Sequence, residues 1–230
     1  MNTVIILAAG KGTRMQADLN KQYLLLQGNP IIAYTIKAFE ESPLIDNIIL
    51  VINENDNKLF EELIVNKFKF EKITKIITGG KERQDSVKKG LAQVHKKTKI
   101  VLVHDGARPF VTNNIIKNCI EGATKYDAVS AGVPIKDTVK IIDEEKNVIS
   151  TPKRSSLWIT QTPQAFKVKV LTKAHLEANN DNFLGTDDAS LVERMGVSVK
   201  MVDGDYKNFK ITTPEDLVAA EAMINYIKTI

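Results

Sequence analysis

Short apolar runs rich in β-branched residues recur along this chain, and each stops abruptly at small or polar residues. Val4-Ile5-Ile6-Leu7 ends at Ala8-Ala9-Gly10, Ile48 to Ile52 at Asn53, Lys75 to Thr78 at Gly79-Gly80, and Ile100 to Val103 at His104-Asp105-Gly106. Such runs suit strands buried on both faces. Stretches of helical spacing separate them: Ile31, Tyr34, Thr35, Ala38 and Phe39 share one face, as do Leu59, Phe60, Leu63 and Ile64. Helices are also predicted near 83–95 and 113–125, before a run at Ala128 to Val133. Strands alternating with helices predict an α/β fold, a Rossmann-like, mostly parallel sheet with helices on both faces. Right-handed crossovers then gather the strand ends on one edge.

Residues 134 to 162 break this rhythm. Ile135 to Ile142 and Val148 to Ser150 flank the polar turn Asp143-Glu144-Glu145-Lys146-Asn147, which reads as a hairpin, with strand content continuing through Leu157-Trp158-Ile159. Two strands alone are marginal in water, so this projecting arm needs a cover, either a partner subunit or its own domain. Helices near 167–177 and 187–195 and a strand at 197–202 follow. Thr213-Pro214-Glu215-Asp216 then opens a last helix with a capping hydroxyl, proline and first-turn acids. Residues 1–230 are read as one domain, with the arm inserted at about 134–162.

The 43% hydrophobic and 26% charged shares are ordinary for a water-soluble globular chain. No apolar run approaches the ~18 residues of a membrane helix, and the N-terminus enters a strand directly, so a cytoplasmic protein is expected. A net charge of +4, spread without basic-aromatic blocks, suits an anionic small molecule better than nucleic acid. Cys119 falls beside Ile115 and Ile116 on a helix, as a buried structural thiol.

Chemistry concentrates in the loops. Lys11, Arg14 and Lys21 follow the first strand with one acid, Asp18, among them. That pattern suits a phosphate site at the carboxyl end of a parallel sheet, and equally a glycine-containing turn with solvated lysines. Gly10-Lys11-Gly12-Thr13 is no Walker A loop, and the dinucleotide fingerprint fails at Met15 and lacks an acid ~20 residues on, which excludes a nicotinamide enzyme. Asp105, following a strand, is placed to hold Mg²⁺, or simply to pair with Arg108. His104 reads as a structural strand-end residue.

The string Leu7-Ala8-Ala9-Gly10-x-Gly12-x-Arg14-Met15, with Lys21-Gln22-Tyr23 after it, resembles the nucleotidyltransferases that join a nucleoside triphosphate to a sugar or polyol phosphate. His104-Asp105-Gly106-Ala107-Arg108-Pro109, Gly79-Gly80-x-x-Arg83-x-x-Ser86, Thr186-Asp187-Asp188 and Asn208-x-Lys210-x-Thr212-x-Pro214-Glu215-Asp216 narrow the resemblance to the 2-C-methyl-D-erythritol 4-phosphate cytidylyltransferase family. That likeness implies use of CTP in the non-mevalonate isoprenoid route. It places Ala8, Ala9, Gly10, Gly12, Gly80, Arg83, Ser86 and Gly106 around the nucleotide, and Arg14, Lys21 and Lys210 as catalytic cations. Asp105 would carry Mg²⁺, and Arg108, Thr138, Arg154, Thr186 and Lys210 would hold the acceptor phosphate. It also implies a homodimer in which the arm reaches a neighbouring site. The chain departs from the family pattern at Asn20, usually Pro, at Lys153, usually Asp, and at Ser155-Ser156, usually Asn-Gly. A ribitol 5-phosphate cytidylyltransferase and a non-catalytic nucleotide-binding module of the same fold are the alternatives.

Overall fold

The computed structural model describes residues 1–10 and 20–229. In chain order it contains β1 (Asn2–Ala8), the two-residue strands β2 (Leu25–Leu26) and β3 (Asn29–Pro30), α1 (Ile31–Glu40), β4 (Asn47–Ile52), α2 (Asn57–Phe60), β5 (Ile73–Thr78) and α3 (Arg83–Leu91). There follow β6 (Ile100–Asp105), α4 (Asn113–Tyr126), β7 (Ala128–Pro134), β8 (Ile141–Ile142), β9 (Val148–Ser150) and β10 (Trp158–Lys167). The chain closes with α5 (Val168–Asn180), α6 (Asp188–Arg194), β11 (Lys200–Asp203) and α7 (Pro214–Thr229).

Seven strands form one sheet in the order β11-β7-β10-β6-β1-β4-β5. Every neighbouring pair is parallel except those of β10, which runs antiparallel to β6 and β7. Alternate residues of the central strands feed opposite layers, as a period of two demands. Val4, Ile6, Ile48, Leu50 and Leu102 pack with Ile36, Phe39, Phe60 and Ile116 on one face. On the other, Ile5, Ile49, Val51, Val101 and Val103 pack with Val87, Leu171, Ala174 and Val192. Cys119 is fully buried in the first layer, where burial pushes its thiol up to about 12, so it is an inert core residue as expected. No helix among the described residues is long and apolar enough to cross a membrane.

Three local expectations need correcting. The helical spacing of Leu59, Phe60, Leu63 and Ile64, which predicts one helix over 55–68, is realised as a 3-10 turn at Glu54–Asp56, then α2, then a π-helical turn at Glu61–Val65. Its first turn is diverted because the Asn53 side chain accepts the Asn55 N–H, a short polar group competing with helical hydrogen bonding. The strand expected through Leu157-Trp158-Ile159 does not stop there but runs on to Lys167 as the ten-residue β10, which re-enters the sheet centre. Gln161-Thr162-Pro163-Gln164 carries no apolar pattern, and its stability there comes from side-chain hydrogen bonds instead, Gln164 Nε2 to Ser130 Oγ at 3.1 Å among them. The arm's ladder is confined to β8 and β9, and residues 141–150 are exposed throughout.

Candidate active site

Register decides where the loops meet. Leu7 pairs with Asp105, Ala8 with Ile52, and Ile52 with Thr78, so the chain leaves β1, β4, β5 and β6 along one edge of the sheet. The loops there pack closely because they are built from small residues. A Cβ on Gly79 would sit 2.4 Å from Ala9 Cβ and 2.9 Å from Ser86 Oγ, and one on Gly106 only 3.0 Å from the Leu7 carbonyl oxygen. The resulting cleft is lined by Ala8, Ala9, Gly10, Lys21, Gln22, Gly80, Arg83, Ser86, Asp105, Gly106 and Lys210, among others. Residues expected at the nucleotide from three separate loops therefore converge. Gly12 and Arg14 lie outside the described residues.

Asp105 is the electrostatic centre. Its carboxylate stands 2.9 Å from Lys210 Nζ, 3.5 Å from Arg108 Nε and 3.7 Å from Arg83 Nε. Burial alone would raise this carboxyl, but the charges of Lys210, Arg83 and Arg108 outweigh it and hold it well below the usual carboxylate range. Lys210 reaches Asp105 from far along the chain because its segment is tied down on both sides. The Arg108 guanidinium donates to the Asn208 carbonyl at 2.9 Å, Asn208 Nδ2 donates to the Thr162 carbonyl at 2.8 Å, and Ile211 N–H donates to the Ala107 carbonyl at 2.9 Å. Arg108, expected to face an acceptor phosphate, is turned mostly inward against Asp105 and Asn208.

His104 is fully buried, and its ring reads as a fixed tautomer. Nε2 lies 3.2 Å from the Arg108 carbonyl, which can only accept, so Nε2 carries the proton. Nδ1 then accepts from the Thr162 hydroxyl at 3.1 Å, and the same hydroxyl oxygen accepts the Asp105 N–H at 3.0 Å. This chain of bonds braces the turn that carries Asp105 and makes His104 structural, as its sequence position suggested. Burial lowers the imidazole to about 3 from an ordinary 6.5. The unfolded chain therefore binds a proton through that window while the folded chain refuses it. The thermal midpoint is expected to fall as pH drops from about 6.5 toward about 3. His104→Gln should flatten that slope; an unchanged profile would assign it to other groups.

Arg83 is anchored from behind by groups that sequence reasoning did not single out. Its Nη1 lies 2.6 Å from Asp188 Oδ2, and Asp188, 1% exposed, accepts from His175 Nε2 at 3.0 Å through its other oxygen. Gln164 Oε1 receives the N–H groups of Asp188 and Ala189, both at 3.2 Å, which fixes the start of α6. The cap of that helix is Asp187, whose Oδ1 accepts the Ser190 N–H at 2.8 Å. Thr186, which the family likeness places at the acceptor phosphate, sits exposed just before it, and although a threonine can cap a helix it does not do so here. The carboxylate wins because it accepts more strongly at a helix N-terminus than a hydroxyl. Asp188→Ala strands a guanidinium and an imidazole, so urea unfolding is expected to show a loss of about 3 kcal/mol. Unaltered stability would remove Asp188 as the anchor of Arg83.

Ser86, expected at the nucleotide, spends its hydroxyl within its own loop: it accepts the Gly80 N–H at 3.0 Å and lies 3.2 Å from the Glu82 carbonyl, to which it donates. Thr138 and Arg154 are exposed on the arm and do not line the cleft; Arg154 donates to the Lys136 carbonyl at 3.1 Å. For a divalent cation, Asp105 offers a hard, fully ionised oxygen donor facing the cleft. Among the described residues no group of three His, Cys, Asp or Glu could hold a metal unaided. Such a donor set fits Mg²⁺ only where bound phosphate oxygens complete its shell, the usual arrangement for that ion at phosphates.

With this geometry in place, the relatives are decisive. The family model described as IspD, 2-C-methyl-D-erythritol 4-phosphate cytidylyltransferase, matches residues 2–226. The chain belongs to that family. A protein of that name from Caldanaerobacter subterraneus subsp. tengcongensis is 50% identical over 222 residues, spanning 96% of this chain and 98% of the relative. One from Clostridium acetobutylicum is 50% identical over 224 residues, 97% of each. The crystal structure of 4-diphosphocytidyl-2C-methyl-D-erythritol synthase from Anaerococcus prevotii superposes with a TM-score of 0.87 at 33% identity, covering 98% of this chain and 96% of that one. The family is one of nucleotidyltransferases, and its α/β sheet is the fold described above.

Proposed function

We propose that this protein transfers the cytidylyl group of CTP to 2-C-methyl-D-erythritol 4-phosphate, releasing pyrophosphate, in the non-mevalonate route to isoprenoid precursors. The observation that carries the reading is the convergence of Lys21, Arg83, Arg108 and Lys210 around or beside the buried carboxylate of Asp105 at the carboxyl edge of β1 and β6. A phosphate oxygen of the acceptor attacks the α-phosphorus; the bond from that phosphorus to the bridging oxygen breaks, and pyrophosphate leaves with the electron pair. A phosphate monoester with a second pKa of about 6 is already largely ionised at neutral pH, so no general base is required. That agrees with His104, the imidazole nearest Asp105, being sealed in the fold.

What the protein supplies is charge and position. In this reading Gly10, Gly80, Gly106 and the Ala8-Ala9 turn seat the nucleotide, with Gly12 completing the loop. Arg14 and Lys21 support the triphosphate, while Arg83 and Ser86 order the wall beneath base and ribose. Asp105 would hold Mg²⁺, which when bound neutralises phosphate charge. Lys210 and Arg108, released from Asp105 as phosphates arrive, fix the attacking group together with Thr186. Thr138 and Arg154 of a neighbouring arm complete the acceptor site, in a cytoplasmic homodimer of one catalytic domain per chain. The exposure of Ile141, Ile142, Val148 and Ile149 supports a partner covering this arm, since a solvated apolar ribbon is costly.

Pyrophosphate release with four nucleoside triphosphates against methylerythritol, ribitol and hexose phosphates tests the assignment. Turnover is expected with CTP and methylerythritol phosphate in the presence of Mg²⁺; ribitol phosphate as the better acceptor, or no turnover with any pair, would overturn it. Complementation tests the arm. Arg154→Ala and Lys21→Ala proteins, each inactive, should recover about a quarter of wild-type activity after subunit exchange, because one mixed site in a two-fold dimer then holds both intact groups. No recovery would end the shared-site reading.

A further inference from the structure

The turn after β4 touches the nucleotide loop at several points and plays no part in the chemistry assigned so far. Asn53 caps the Glu54–Asp56 turn by accepting the Asn55 N–H, and its Nδ2 donates to the Ala9 carbonyl at 3.3 Å. Asp56, only 6% exposed, receives Asn20 Nδ2 on both carboxylate oxygens at 2.8 Å. Gln22, 2% exposed, donates to the Ala8 carbonyl at 2.6 Å and has the same amide nitrogen 3.5 Å from Asp56 Oδ2. Lys21 stands between these two amides and lines the cleft. A carboxylate buried this far persists only with strong donors around it; here Asn20, before one lysine, supplies both short bonds, and Gln22, after it, stands at the outer limit of hydrogen-bond reach.

We propose that Asp56 is a positioning residue for Lys21: by gripping Asn20 and Gln22 on either side, it aims the intervening ammonium at the triphosphate. The proposal rests on the reading that Lys21 supports reacting phosphates. Its logic is geometric. A lysine side chain has four freely rotating bonds, and preorganisation of a charge is what makes it catalytic rather than merely attractive. Fixing the backbone on both flanks limits where the side chain can swing. Asn20 sits at φ −58° and ψ 131°; a proline ring presets such a φ unaided, and the ψ is one that proline readily adopts. At this position the chain achieves a proline-like backbone by hydrogen bonding to Asp56, and the two devices are interchangeable.

That equivalence supplies the test. Asp56→Asn keeps the shape but removes the charge and one good acceptor, and is expected to lower kcat by about tenfold to 10²-fold, with KM for the acceptor phosphate little changed. Introduced into Asn20→Pro, where the ring presets the turn, the same change should cost no more than about twofold relative to Asn20→Pro alone. Introduced into Lys21→Ala it should again cost no more than about twofold, because there is no ammonium left to aim. An Asp56→Asn protein with full turnover, or a loss that multiplies undiminished in the Lys21→Ala background, overturns the positioning role. Near-normal turnover in Lys21→Ala alone would instead sink the role of Lys21, so the two failures are told apart.

Discussion

Lys21→Ala is expected to lower kcat by about 10²–10³-fold, the usual cost of losing one preorganised donor to a phosphoryl-transfer transition state. The fold should survive. The buried members of this turn are Gln22 and Tyr23, which hold the Ala8 carbonyl and the core, whereas Lys21 is half-buried at the lining of the cleft. Steady-state pyrophosphate release and a thermal melt on the same preparation separate the two effects. A normal melt with a 10²-fold deficit supports a chemical role, and near-normal turnover refutes it. Lys21→Arg should recover only part of the loss, since a planar fork does not replace a compact ammonium at the end of its stem.

Asp105→Asn is the second large effect, and its signature differs. The carboxylate is shared by Lys210 and Arg108 and faces Arg83, which keeps Asp188 as its own counter-ion, so its removal leaves Lys210 and Arg108 repelling each other beside the Arg83–Asp188 pair. Lys210 and Arg83 are each about a third exposed, so water absorbs part of that repulsion and the stability loss should fall near or below the lower end of the ~3–5 kcal/mol seen when buried pairs are broken. Turnover should drop by at least about 10²-fold. CTP binding measured without divalent cation should strengthen, because a negative charge has left a site that receives a polyanion. Weaker CTP binding with normal kcat would show that Asp105 serves ground-state affinity alone. The pH sign follows from its depressed carboxyl. The pairing contributes fully above the unfolded value of about 4 and is lost only as pH falls through the lower folded one.

Much of this site could be read from local chemistry. Ala8-Ala9-Gly10, Gly79-Gly80 and Asp105-Gly106 follow β-branched runs, and small residues at strand ends have few other uses than close backbone approach. The hairpin turn at Asp143–Asn147 was likewise legible from its polar composition. What misled was any segment stabilised by individual polar bonds in place of a pattern. β10 carries glutamines and a proline where a buried strand should be apolar, and its place between β6 and β7 depends on Gln164 bonding to Ser130 and to the start of α6. Asp188, a second acid after Thr186, looked like part of a helix start, yet it is the counter-ion of Arg83.

By itself the sequence determined the alternation of strands and helices, the edge on which the loops collect, and the residue types available there, because burial periodicity and backbone sterics act over a few neighbours. Only the tertiary structure decided that Lys210 closes on Asp105, that His175 and Asp188 stand behind Arg83, and that Asp56 grips both flanks of Lys21. Those pairings join positions tens of residues apart or more, through single directional bonds, and nothing periodic along the chain encodes a contact of that kind.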